Sequence, residues 1–171
     1  MSDTAERLWW VMCKNRFDFR EPPVVSQTAR ESEQINQQYS VTIPASFIYF
    51  FDLFGPGTLG GFLHFLPVRW FKTHAERLEG FLDDEIRLSL EDEQSGDILI
   101  FATTDNGDLF GWKLPALRGQ SEPEVVRIYY RSFEYELYAP TFKDFIKGIV
   151  ETASVAGCGP LPFLYTPQRL P

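Results

Sequence analysis

The sequence is short of cysteine, of long apolar runs and of basic clusters, and each shortage removes a class of protein. Its two cysteines, Cys13 and Cys158, stand far apart. A disulfide framework or a zinc site is therefore not expected, and buried or idle thiols are. No apolar run approaches the ~18 residues that a membrane helix needs. The opening MSDTAERLWWVMCKN places acids before a five-residue apolar run, whereas a secretory signal has a basic start, a longer apolar stretch and a small-residue cleavage site. These features predict a soluble, cytoplasmic protein without a membrane partner. Sixteen Lys and Arg against 24 Asp and Glu give a net charge of −8. No basic stripe offsets that charge, which repels phosphate backbones and disfavours nucleic acid as a partner. A basic protein partner is not disfavoured.

Catalytic signatures are missing as well. There is no G-x-S-x-G nucleophile turn, no P-loop and no H-E-x-x-H. His64 and His74 are ten residues apart without a carboxylate-bearing zinc motif. The run Asp105-Asn106-Gly107-Asp108 fails as a calcium loop, because an EF-hand starting at Asp105 has Gly107 at its third position and Ala116 at its twelfth. Nothing in the sequence brings Cys13 to a histidine. The expectation is a chain with no metal, no cofactor and no enzymatic activity.

One motif argues otherwise at first sight. Gly55-Pro56-Gly57-Thr58-Leu59-Gly60-Gly61 has the G-x-G-x-x-G spacing of a dinucleotide loop. Such a loop must leave a strand and open a helix, since the helix N-terminus holds the pyrophosphate. Here an aromatic helix beginning near Ile43-Pro44 precedes the glycines, and an aromatic-rich strand, Phe62 to Phe71, interrupted or ended around Pro67, follows them. The order is reversed, and Pro56 removes an amide. The stretch reads as a helix stop and turn.

At 171 residues the chain suits one domain with a single core. Thr4 to Asn15 reads as a short helix with Leu8, Val11 and Met12 on one side. Pro22-Pro23 marks an extended linker. Thr28 to Tyr39 reads as a surface helix burying little beyond Ala29, Ile35 and Tyr39, and Thr73-His74-Ala75-Glu76 has capping-box spacing before a helix over about 74–88. Ile98–Thr104 and Leu109–Leu114 form a hairpin around Asn106-Gly107. Further strands are expected over 124–130 and 133–138. A last helix capped by Thr141 buries Phe142, Phe145, Ile146 and Ile149, and the Pro-rich tail after Gly157 reads as an extended arm or as disorder.

Taken together, a helix carrying Glu33, Ile43-Pro44 opening an aromatic helix, the glycines after Phe54, the hairpin ILIFATTDNGDLFGWKL and the closing APTFKDFIKGIV resemble the SUKH superfamily. That superfamily includes fungal regulators of cell-wall synthesis and bacterial toxin-immunity proteins. The resemblance divides the chain into an N-terminal segment and linker (1–27), a SUKH-like domain (28–152) and a tail (153–171). It implies an α+β fold, a central, mostly antiparallel sheet packed against helices, and a non-enzymatic binding role. An immunity protein that binds a toxin is the first reading, a regulatory or scaffolding module of the same fold is the alternative, and an enzyme is a distant third.

The acids concentrate in one place. Between Glu79 and Asp97 eight acids stand against the single base Arg87. Read blandly, this is a water-facing helix side and loop. Read functionally, Asp83, Asp84, Glu85, Glu91, Asp92 and Glu93 are the candidate partner-binding residues, and the partner is a basic protein toxin.

Overall fold

The computed structural model describes residues 3–19, 28–79, 97–132 and 134–168. Along the chain, α1 (Asp3–Lys14) leads into β1 (Asp18–Phe19), and α2 (Thr28–Tyr39) and α3 (Ala45–Phe54) follow. The hairpin of β2 (Gly57–Leu59) and β3 (Leu63–Phe65) comes next, then a 3-10 turn (Val68–Trp70), β4 (Lys72–Thr73) and the short α4 (His74–Leu78). The second half runs β5 (Ile98–Thr104), β6 (Leu109–Lys113), α5 (Leu114–Gly119), β7 (Val125–Ile128), β8 (Tyr135–Ala139), α6 (Phe142–Thr152) and β9 (Leu164–Pro167). The strands form a nine-stranded sheet in the order β1-β9-β2-β3-β5-β6-β7-β8, with β4 also paired to β5. Only β1 with β9 is parallel among the paired strands. This is the α+β, mostly antiparallel architecture expected from the sequence.

The core lies between one face of the sheet and the helices, and it is aromatic. Helix α3 buries Phe47, Phe50, Phe51 and Phe54 because its apolar side chains cover most of its circumference. The Phe47 ring sits 4.3 to 5.8 Å from the rings of Phe51, Phe71, Phe101, Trp112 and Phe142, the spacing at which edge-to-face and offset contacts add to area burial. Helix α6 contributes Phe142, Phe145, Ile146 and Ile149, and its N-cap Thr141 accepts from the Asp144 amide, as expected.

Several expectations are corrected. Leu8, Val11 and Met12 do share one side of α1, but that side is turned out, at 60%, 45% and 62% exposure, while Trp10 and Cys13 are buried. The indole of Trp10 wins because it packs on Phe50 and Phe142. In α2 the inward residues are Thr28, Ser32 and Ile35, and Ala29 is exposed. Asp18–Phe19 form a strand where the sequence reads as connector. The strand expected over 62–71 is interrupted around Pro67, as read from the sequence, and the break is a 3-10 turn that Pro67 caps. The sequence reading missed α5 altogether.

The hairpin turn differs in detail from a two-residue Asn-Gly turn. Gly107 has φ +89°, but Asn106 is not among the residues with positive φ. The Gly107 amide donates to the Thr104 carbonyl at 2.9 Å, and the Thr104 amide donates to the Asp108 carbonyl at 2.9 Å. This is the pattern of a turn closed by a glycine bulge.

The glycine stretch is packed by the chain's own tail. Helix α3 stops at Gly55 with φ +67°, and Gly55, Pro56 and Gly57 are all buried. Strand β9 lies against β2, pairing Thr58 with Thr166 and Gly57 with Pro167. A Cβ on Gly57 would lie 2.6 Å from the Thr166 carbonyl oxygen and 2.7 Å from the Tyr165 ring. Gly57 is thus glycine because β9 approaches its backbone closely.

Candidate functional site

The face of the sheet away from the large core carries the features that core packing does not explain. Strand register places Thr166, Thr58, His64, Thr103, Leu109, Ile128 and Tyr135 in one transverse row across seven strands. The row is polar over β9, β2, β3 and β5 and turns apolar at β6. Ile98, Ile100, Val126 and Ile128 form a second buried cluster beside it, with Leu66, Leu109 and Tyr135 packed against them. At its far end Lys113 donates to the Tyr135 hydroxyl at 2.8 Å and lies 4.2 Å from a ring centroid.

In the polar half, His64 joins two partners. Its Nδ1 is 2.9 Å from the Thr58 hydroxyl, and its Nε2 is 2.6 Å from Asp105 Oδ1. A neutral imidazole carrying its proton on Nε2 donates to the carboxylate and accepts from the threonine. The hydroxyl, imidazole and carboxylate stand in the order of a nucleophilic triad, but β2 is an interior strand whose Thr58 is paired on both sides, with His64 and with Thr166. Thr58 therefore contributes no amides to an oxyanion hole. Side-chain exposure of 37% and 57% for His64 and Asp105 leaves the pair in high dielectric. Sequence reading named His64 and Asp105 separately. The two-glycine hairpin between Thr58 and His64 is the signal that sets their register.

The other acid of the hairpin loop is committed elsewhere. Asp108 is buried and accepts from Arg127 Nη2 at 2.5 Å, from Arg127 Nε at 3.1 Å and from the Tyr130 amide at 3.2 Å. Burial opposes the Arg127 charge, yet the hydrogen bond and charge of Asp108 outweigh that effect and hold its pKa above the usual guanidinium value. The Asp105 to Asp108 loop is a structural turn whose carboxylates serve His64 and Arg127. Among the described residues no three His, Cys, Asp or Glu come together as a metal site.

A cleft of about 530 Å³ opens beside the row, between α4 and the β5–β6–β7 surface. Thr103, Leu109 and Ile128 form its floor, and His74, Arg77, Leu78 and Tyr130 rise around it. Local sequence sets α4 firmly. Thr73 caps it, accepting from the Glu76 amide at 3.2 Å, while Glu76 accepts from the Thr73 amide at 2.8 Å. Glu76 also accepts from the Tyr39 hydroxyl at 2.6 Å, tying α4 to α2. Burial, reinforced by that bond, keeps Tyr39 neutral well past the ordinary phenol range. Thus the capping box read in the sequence is present, and it fixes the wall from which Arg77 projects.

The candidate partner-binding residues Asp83, Asp84, Glu85, Glu91, Asp92 and Glu93 lie outside the described residues. The two ends of their segment are described: Glu79 is exposed directly after the cleft residue Leu78, and Asp97 is exposed directly before Ile98.

The sequence matches the model of the SMI1 / KNR4 family (SUKH-1) over residues 28–148. The chain belongs to that family. Both the cleft and the His64 row fall mostly within the matched part of this SMI1/KNR4 protein, whereas β1 and β9 lie outside it. No curated protein matches the sequence. No described helix is long and apolar enough to cross a membrane.

Proposed function

We propose that this protein is a non-enzymatic, cytoplasmic binding module whose partner is a basic protein toxin, which it neutralises by covering it. Family membership supports a toxin-immunity or regulatory role in general. The observation that carries the immunity reading is the eight-to-one excess of acids over bases between Glu79 and Asp97, on a segment whose two ends are exposed, Glu79 directly after the cleft residue Leu78. A concentrated negative field steers a basic partner and repels the nucleic acid that would compete for it.

The test begins with the product of the neighbouring reading frame, co-expressed and captured on the tagged protein. Reversing Asp83, Asp84, Glu91 and Asp92 to lysine should then slow association by about tenfold or more at low salt, with thermal stability retained. An unchanged on-rate in the folded variant removes the acidic segment from the interface. Failure of any neighbouring toxin to bind, with no protection of growth, leaves the regulatory or scaffolding role as the reading.

A further inference from the structure

Arg77 is a cleft residue whose charge is unmet among the described residues. Its side chain is half-buried on the wall of the cleft, and no oxygen accepts a hydrogen bond from it among the described residues. Burial lowers its pKa from the usual guanidinium value. The lining points the same way. In a chain with 24 acids, the described residues around the cleft include no carboxylate. They offer Arg77, the hydroxyls of Thr103 and Tyr130, and the half-exposed apolar side chains of Leu78 and Leu109. A partly desolvated guanidinium is poorly compensated in the free protein and gains most from a planar, charged acceptor that forms two parallel hydrogen bonds. Arg and Tyr beside apolar side chains also make the kind of surface on which binding energy concentrates.

We propose that this cleft receives a carboxylate carried next to an apolar side chain on a protein partner, the carboxylate pairing with Arg77 and the apolar group resting on Leu78 and Leu109. The volume is within the roughly 300–1,000 Å³ of ligand pockets. Its open side admits a segment of a protein, and for that reason a partner's loop or chain terminus is the occupant. The inference rests on the binding-module reading above and adds its polarity. A predominantly basic partner must present an acidic residue at this one point, with the opposite charge sign from the field of residues 79–97. Such a pairing of signs fixes register, because a partner shifted along the surface meets like charge.

The probes are two capped dipeptides, acetyl-Leu-Glu-amide and acetyl-Leu-Gln-amide, titrated into the 15N-labelled full-length protein. The glutamate peptide should shift the amides of Thr103, Thr104, Leu109 and Tyr130 and bind at least tenfold more tightly than the glutamine peptide. Arg77→Gln should abolish that difference, and Arg77→Lys should keep part of it. Amide dispersion of both variants checks the fold, and Lys147→Gln, at an exposed cation outside the cleft, retains the difference if Arg77 is the source. Equal shifts with both peptides, shifts at other amides, or an Arg77→Gln variant that still discriminates would overturn the proposal. A third arm uses sodium 4-methylpentanoate, and tighter binding of this free acid than of the peptide would overturn the assignment to a protein partner. None of these arms needs the toxin, so a failed titration with toxin capture intact rejects the cleft, and a successful one without toxin capture rejects the immunity reading alone.

Discussion

The Tyr165 hydroxyl donates to the Gly55 carbonyl at 2.6 Å across 110 residues of chain. Both groups are buried, so the bond joins the stop of α3 to the strand that closes the sheet. Tyr165→Phe should cost about 1–3 kcal/mol by leaving a buried carbonyl without its donor. Gly57→Ala should cost more, since its Cβ would overlap the Thr166 backbone. By contrast, Gly148→Ala meets nothing within 4 Å in the middle of α6, and should stabilise by about 0.5–1 kcal/mol. Urea unfolding of the three variants gives the order directly, and a Gly57→Ala protein as stable as the parent would contradict the seating of β9.

Alkali should weaken the fold between about pH 9 and 11. Burial pushes the Cys13 thiol up to about 11, with Arg16 opposing it, and burial also holds Tyr165 well above the ordinary phenol value. An unfolded thiol ionises near about 8.5. The unfolded chain therefore loses its proton first, and the stability present below that pH is lost as pH rises through the folded value. Cys13→Ala should flatten the stability curve over this range. If its slope equals that of the parent, Cys13 is not the titrating group.

At the hairpin, Gly107→Val should cost on the order of 1–3 kcal/mol, because the residue has φ +89° and its Cβ would lie 2.8 Å from the Tyr130 ring. Asp105→Ala should cost much less, since it removes only a half-exposed partner of His64. Thermal melts of the two separate these effects, and equal losses would argue for a larger role of the His64 pair than its exposure allows.

Helix α1 gives a contrast within one turn. Trp10→Ala should cost about 3–5 kcal/mol, and Leu8→Gln or Met12→Gln should change stability by no more than about 0.5 kcal/mol. Chemical denaturation settles it: a large loss on changing Leu8 would mean that the exposed side is not solvent-facing in solution.

What the sequence made legible was local. Thr141 with Asp144 and the spacing of Phe142, Phe145, Ile146 and Ile149 specify α6 within a few residues, as Thr73 and Glu76 specify the start of α4. The side on which α1 docks was not legible, because it carries apolar residues nearly all round and only the ring positions of Phe50 and Phe142 choose Trp10. Helix α5 has six residues with Pro115 inside it and Gly119 at its end, too short for periodicity to show. Proline made Leu164–Pro167 read as an arm, although Pro167 sits at the strand end and the next amide, of Gln168, donates to the Pro56 carbonyl at 2.9 Å. The cleft was invisible for a different reason. Its lining comes from α4, β5, β6 and β7, and no single stretch contains both Arg77 and the floor beneath it.

The parallel pairing of Asp18 and Phe19 with Leu164 and Tyr165 sets an order in time. Among the described strands β1 borders only β9, so on a ribosome that pairing waits until residue 164 has been made. At about 5–20 residues per second that wait is roughly 7–30 s. During it the Phe17 and Phe19 rings, which in the finished fold pack on Phe54, Phe163 and Tyr165, lack Phe163 and Tyr165. The newborn chain thus passes through a stage in which its first strand is an unclaimed edge, open to whatever meets it before its own tail arrives.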